Sequence, residues 1–359
     1  MTGRIGSELI PVWAKDLRSQ EVPGRNLRSA KTEKAVLVSR ADSPRILSTG
    51  LVCHAQKAAF FHRHLGIGWG RTKEFPMLDS PPSHPVHVPL AGVIGMPVAH
   101  SRSPRLHGHW LRRYGIAGHY IPMPVMPEHL AEVLRVLPRL GFVGVNVTIP
   151  HKEAVLTLAD SVTDRAALIG AANTLIFRPD GKIHADNTDG YGFVTNLRQH
   201  APDWQPDAGP AALIGAGGAA RAVVASLLDC GVREVRITNR TRLRSDQIRS
   251  EFGARLVVYD WAQAGNMLDG ATTVVNATSL GMEGKQPLRL PLDALSRDAL
   301  VTDLVYTPLF TPFLEQAQAR GCRIVDGLGM LLHQGAPGFE RWFGRRPEVD
   351  DELRRAVLA

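Results

Sequence analysis

Lys152 and Asp189 are the two side chains of this chain best suited to hand a proton back and forth. The first lies in NVTIPHKEA (146–154), the second in ADNTDGYG (185–192). From Val86 onward the chain holds only three lysines, Lys152, Lys182 and Lys285, against 26 arginines. A chain that supplies positive charge as arginine, yet places a lysine at a strand end, asks there for an ammonium that can titrate, which a guanidinium cannot provide. A solvated surface lysine is the plainer alternative. Asp186 or Asp189 could pair with that ammonium and hold its proton within reach of a substrate oxygen. An ordinary turn residue and an ordinary helix cap are the plainer roles for these two.

Polar groups suited to binding surround this pair. Ser101 and Ser103, in SRSP, put two hydroxyls at a predicted helix start, where the helix N-terminus would also favour a carboxylate. Ser103 before Pro104 reads as the cap, which leaves Ser101 without a local task. Asn146 and Thr148 alternate with Val145, Val147 and Ile149, so the two polar side chains share one face of a strand and the apolar ones enter the core.

A third constellation has the form of a nucleotide-binding turn, with a simple tight strand-to-helix turn as the plainer alternative. GAGGAA (215–220) separates a predicted strand from a predicted helix. Gly215 permits the tight turn, Gly217 lets a pyrophosphate approach the backbone, and small Ala220 lets helix pack on strand; Ala216, Gly218 and Ala219 complete the cradle. The next strand ends in TNRTRLR, with Asn239, Arg240, Thr241 and Arg244 where an NAD-binding chain would carry a carboxylate. Guanidinium groups pair with a 2′-phosphate that a carboxylate would repel, so NADP is favoured. Arginines on a solvated helix start are the alternative, but cations there are unfavourable without a ligand.

The elements that must position these groups alternate between strand and helix. Strands are predicted at 88–95, HYIPMPV and FVGVNVTI, with helices after Ser103 and around Leu130, Val133, Leu134 and Leu137. NTLIF, the turn PDG and KIHAD form a predicted hairpin, and a helix begins near Thr188. From AALIG onward, strands EVRITN, RLVVY, TTVVNAT, LVTDLVY and RIVDG alternate with helices, the pattern of a parallel, doubly wound sheet. The last helices, from about Gly329, are amphipathic and can pack back on the first unit.

Charge and composition narrow the class. The 359 residues carry a formal net charge of +8 and are 44% hydrophobic, enough for two ordinary globular domains. Residues 1–85 hold 13 Lys+Arg against 7 Asp+Glu, the remainder 29 against 27, so the basicity belongs largely to the front of the chain. That front segment lacks sustained periodicity and ends in prolines; it reads as a poorly ordered leader, either an over-extended start with Met77 as initiator, the preferred reading, or a transit peptide. Cys53, Cys230 and Cys322 have no CxxC spacing, which argues against a disulfide framework or zinc site and for a reducing compartment. No apolar run is long enough for a membrane span. Cytoplasmic residence is expected, with no metal, nucleic acid or membrane as partner.

In order along the chain, SRSP, NVTIPHK, GAANTL, DNTDGYG, GAGGAARAV, TNRT, NATSLGM, DLVYTPLFTPFL and DGLGMLLHQG resemble the shikimate dehydrogenase family, over about Val88 to Gly344. The resemblance implies an N-terminal α/β substrate domain (86–188 with 328–359) and a Rossmann-type NADP-binding domain (189–327), with C-terminal helices returning to the former. It implies the reversible NADPH-dependent reduction of 3-dehydroshikimate to shikimate, in the pathway to chorismate and the aromatic amino acids. Lys152 and Asp189 would then be the catalytic pair. Ser101 and Ser103 would hold the substrate carboxylate, and Asn146, Thr148, Asn173, Asp189 and Gln334 its ring hydroxyls, with Tyr306 counted on the substrate side. Thr278, Ser279, Met282, Gly327 and Met330 would join the glycine turn and the arginines around the cofactor. A quinate/shikimate dehydrogenase using NAD, and a nucleic-acid or membrane-surface binder acting through the basic leader, are the alternatives. Oligomeric state stays open, a homodimer included.

Overall fold

The computed structural model of the protein describes residues 88–359. The leader assigned to 1–85, and Met77 within it, lie outside the described residues.

The first sheet is assembled from β1 (Leu90–Gly95), β2 (His119–Pro124), β3 (Phe142–Val147), β4 (Ser161–Val162), β5 (Thr174–Phe177) and β6 (Ile183–Asp186), in spatial order β2-β1-β3-β5-β6-β4. β1 pairs in parallel with β2 and β3, the connections running through α1 (Ser103–Arg113) and α2 (Leu130–Val136). β5 enters antiparallel to β3 and turns back into β6 through the predicted hairpin. Short β4 and α3 (Asp164–Ile169), which periodicity did not reveal, fill the far edge. Ile94, Leu134, Val145, Val147 and Leu175 form the buried layer on one face of this sheet, as alternation along a half-buried strand requires.

α4 (Asp189–His200) leads to the second sheet, built from β7 (Ala211–Ile214), β8 (Val235–Thr238), β9 (Leu256–Tyr259), β10 (Thr273–Asn276), β11 (Leu300–Asp303) and β12 (Arg323–Val325). Its order is β12-β11-β10-β7-β8-β9 and every pair is parallel. The strand order reverses between β7 and β10, which opens a crevice at their carboxyl ends, the place where doubly wound sheets bind ligands. α5 (Gly218–Asp229), α6 (Arg242–Phe252) and α7 (Pro312–Ala319) provide crossovers. α8 (Leu328–Phe343) and α9 (Asp351–Leu358) then return to the first sheet: Trp342 donates to the Leu175 carbonyl at 3.0 Å, and α9 packs on α1.

α4 touches α5 on one side and α8 on the other. The approach is close because glycines line it. A β-carbon on Gly190 would collide with the Ser226 hydroxyl, and one on Gly192 would lie 2.6 Å from the Met330 carbonyl oxygen. This seam sets Gln334, on α8, beside the residues at the start of α4.

Candidate active site

Lys152 follows the end of β3 by five residues, with His151 fixing the turn: its buried ring pairs through Nε2 with the Val125 carbonyl at 2.7 Å. Asp189 opens α4 and is buried. Lys152 Nζ donates to Asp189 Oδ2 at 2.5 Å. The other carboxylate oxygen accepts from Asn173 Nδ2 at 2.8 Å, and the same amide reaches Gln334 Oε1 at 3.0 Å. Asn173 is held in turn by Thr188, whose backbone N–H donates to its Oδ1 at 2.9 Å. Four of the expected residues, from four segments, are therefore one connected network. Asp186 is not part of it: its carboxylate binds Arg165 and the Thr163 hydroxyl, the structural role that a turn residue would have.

Asn146 faces the same region, but its amide hydrogens go to the Asn173 carbonyl and the Thr174 hydroxyl, and its Oδ1 accepts from Tyr120 at 2.7 Å. Tyr120 stacks on His107, ring centroids 4.0 Å apart. Neither residue was singled out by the sequence, because each gains its place only when β2 and α1 meet. Thr148 sits where only a glycine at position 95 leaves room for its methyl.

The serine loop differs from expectation in one respect. Ser103 is the first residue of α1 and not its cap; Arg102 holds the cap position and already has helical dihedrals. The Ser103 N–H is instead taken by Ser101 Oγ at 3.3 Å. The local task falls to Ser101, and the buried Ser103 hydroxyl makes no capping bond. Arg102 points elsewhere, onto the Val357 carbonyl at the end of α9, at 2.7 Å.

On the opposite side, the glycine turn leaves the carboxyl end of β7. Gly215 has φ +114°, a left-handed conformation that favours glycine, and a β-carbon there would lie 2.9 Å from the Ala277 carbonyl. A β-carbon on Gly217 would project into open space, and α5 starts without a side-chain cap, so its first N–H groups are free to face a phosphate. Asn239 Nδ2 closes the next turn on the Thr241 carbonyl at 2.9 Å. Arg240 and Arg244 are exposed and form no ion pair among the described residues, whereas Arg242 is tied to Asp246 and Asp260. These features fit a phosphorylated dinucleotide. The turn also meets the proton-bearing side: a β-carbon on Gly218 would lie 3.6 Å from Cβ and Cδ of Lys152. Thr278 and exposed Ser279 follow β10, Met282 is half-buried, and Tyr306 follows β11. Gly327 and Met330 are buried around the start of α8, Met330 within the core of the second sheet.

Comparison with known proteins decides the family. Residues 93–175 match the shikimate dehydrogenase substrate binding domain, 205–282 the shikimate / quinate 5-dehydrogenase family and 327–357 the shikimate 5′-dehydrogenase C-terminal domain. A curated shikimate dehydrogenase (NADP(+)) of Paracoccus denitrificans is 80% identical over 283 residues, which are 79% of this chain and 100% of that one. The chain belongs to the shikimate dehydrogenase family. Among solved members, the Thermus thermophilus enzyme in complex with NADP(H) and shikimate is 37% identical, with a TM-score of 0.68 over 76% of this chain and 98% of its own. A quinate dehydrogenase from Corynebacterium glutamicum in complex with NAD is 30% identical, with a TM-score of 0.69 over 76% and 99%. The shikimate dehydrogenase fold thus accounts for both sheets and for the helices that return to the first.

Proposed function

We propose that the protein is an NADP-dependent shikimate dehydrogenase, reversibly reducing 3-dehydroshikimate to shikimate in the biosynthesis of chorismate and the aromatic amino acids. The observation that carries this reading is the Lys152–Asp189 pair, 2.5 Å apart and set against Gly218 of the nucleotide turn. NADPH, when bound, supplies the hydride. The chain's own groups then do the rest. The Lys152 ammonium delivers a proton to the substrate oxygen as it gains charge, and Asp189 orients that ammonium. Asn173, Gln334 and Thr148 bind ring hydroxyls, with Tyr306 beside them, and Asn146 holds the Asn173 backbone in place. Ser101 and Ser103 bind the carboxylate at the start of α1.

The glycine turn at 215–219 cradles the pyrophosphate, and Arg240 and Arg244, exposed beside Asn239 and Thr241, take the 2′-phosphate. Thr278, Ser279, Met282, Gly327 and Met330 surround the nicotinamide. In this assignment residues 86–188 with 328–359 serve the substrate and 189–327 the cofactor. Free thiols at Cys230 and Cys322 suit a cytoplasmic enzyme. The test is a steady-state assay with shikimate and quinate, each with NADP and NAD. Highest kcat/KM with shikimate and NADP is expected; a preference for quinate with NAD would overturn the assignment.

A further inference from the structure

Asp303 ends β11 and is fully buried, yet no cation neutralises it among the described residues. Its donors are neutral and come from three places. Asn276 Nδ2, at the end of β10, donates to Oδ1 at 3.0 Å; the Val305 N–H donates to the same oxygen at 2.9 Å; the Thr311 hydroxyl, at the start of α7, donates to Oδ2 at 2.7 Å. Asn276 passes the tie onward. Its Oδ1 accepts from the Thr278 hydroxyl at 2.7 Å and the Thr278 N–H at 3.0 Å, and its Nδ2 also reaches the Leu280 carbonyl at 3.1 Å. A further segment converges here, the start of α8: a β-carbon on Gly327 would lie 2.6 Å from the Asp303 carbonyl oxygen.

We infer that Asp303 is a positioning residue of the reaction, its carboxylate fixing the loop that carries Thr278 and Ser279 against the loop that carries Tyr306. This rests on the proposed roles of those three residues. A buried carboxylate suits the task because it accepts from donors on both loops at once, where an amide in its place would turn an acceptor into a donor facing another donor.

Kinetics on the full chain test the inference. Asp303→Asn keeps the shape and is expected to raise KM for both NADPH and shikimate roughly tenfold. Thr311→Val should move both in the same direction by less, and Thr311→Ser, which restores the hydroxyl, should bring them back; this pair serves if Asp303→Asn fails to fold. Leu295→Ala, a core truncation in the same domain, should lower Tm and move neither KM. Thr278→Val and Tyr306→Phe are measured alongside. Should these two raise KM for NADPH and shikimate respectively while the Asp303 and Thr311 variants do not, the inference falls and the site reading stands. Should they change neither KM, the site reading falls and takes the inference with it. Equal effects of Leu295→Ala and Asp303→Asn would reduce the result to general loosening and overturn the positioning role.

Discussion

Asn173 donates to one oxygen of Asp189 at 2.8 Å while Lys152 donates to the other at 2.5 Å. The carboxylate is thus held at both oxygens, and its orientation follows from an amide just before β5 that also grips Gln334 on α8.

Removing the ammonium should separate chemistry from binding. Lys152→Ala is expected to lower kcat by about 10²–10⁴ with a much smaller rise in KM, the pattern of a lost proton donor. Asn173→Ala frees Asp189 and Gln334 together, so KM for shikimate should rise and kcat should fall. Stopped-time and steady-state assays of the two variants check this; unchanged turnover in Lys152→Ala would remove the lysine from the mechanism.

The paired substitution Arg240→Ala with Arg244→Ala should raise KM for NADPH roughly tenfold or more and leave KM for NADH unchanged, since only the former carries the 2′-phosphate. The wild-type preference for NADPH should also weaken as salt is added. Cofactor titrations at low and high ionic strength read both effects.

Gly192→Ala puts a methyl against the Met330 backbone, which cannot swing aside. A loss of about 1–3 kcal/mol is expected, seen as a lower Tm, with a rise in KM for shikimate as α8 carries Gln334 away.

Acid should destabilise the fold with a predictable slope. Burial lowers His107 from 6.5 to about 3 and His333 from 6.5 to about 4, and pushes Asp303 up from 3.8 to about 6. Between about pH 4 and pH 6.5 both histidines are neutral when folded and protonated when unfolded, so each withdraws stability as pH falls. Asp303 works the other way between about pH 4 and pH 6, being protonated when folded and ionised when unfolded. These three groups together leave one net proton, a loss of about 1.4 kcal/mol per pH unit from pH 6 down to pH 4. His107→Phe should flatten that slope. Denaturant unfolding at several pH values measures it.

The strands and the glycine turn were legible in the sequence because alternation and turn chemistry are local; β3, β5, β7 and β10 lie where their apolar runs predict. β4 and α3 were not, being two and six residues long, too short for a period to show. Lys152 and Asp189 could be named from their residue types and Asn173 and Gln334 only through the family resemblance, but the bonds joining them arise only when β5, α4 and α8 pack together. The exchange of roles between Ser101 and Ser103 was hidden for a different reason. Helical dihedrals begin one residue early, at Arg102, whose side chain is drawn to the end of α9, 255 residues away. Tyr120 and His107 gave no signal, and Asp303, although it opens the DLVYTPLFTPFL block, pointed to no role of its own, since such side chains show their partners only after the sheets form.

α4 lies between α5 and α8, with Asp189 in its first turn, so a swing of the nucleotide sheet has a ready-made shaft. Rotation about that shaft would change the gap between Lys152 and Gly218, which belong to opposite sides, while the Lys152–Asp189 spacing, set at the shaft's end, would hardly change. A motion of that kind would part the glycine turn from Lys152 without breaking the Lys152–Asp189 bond.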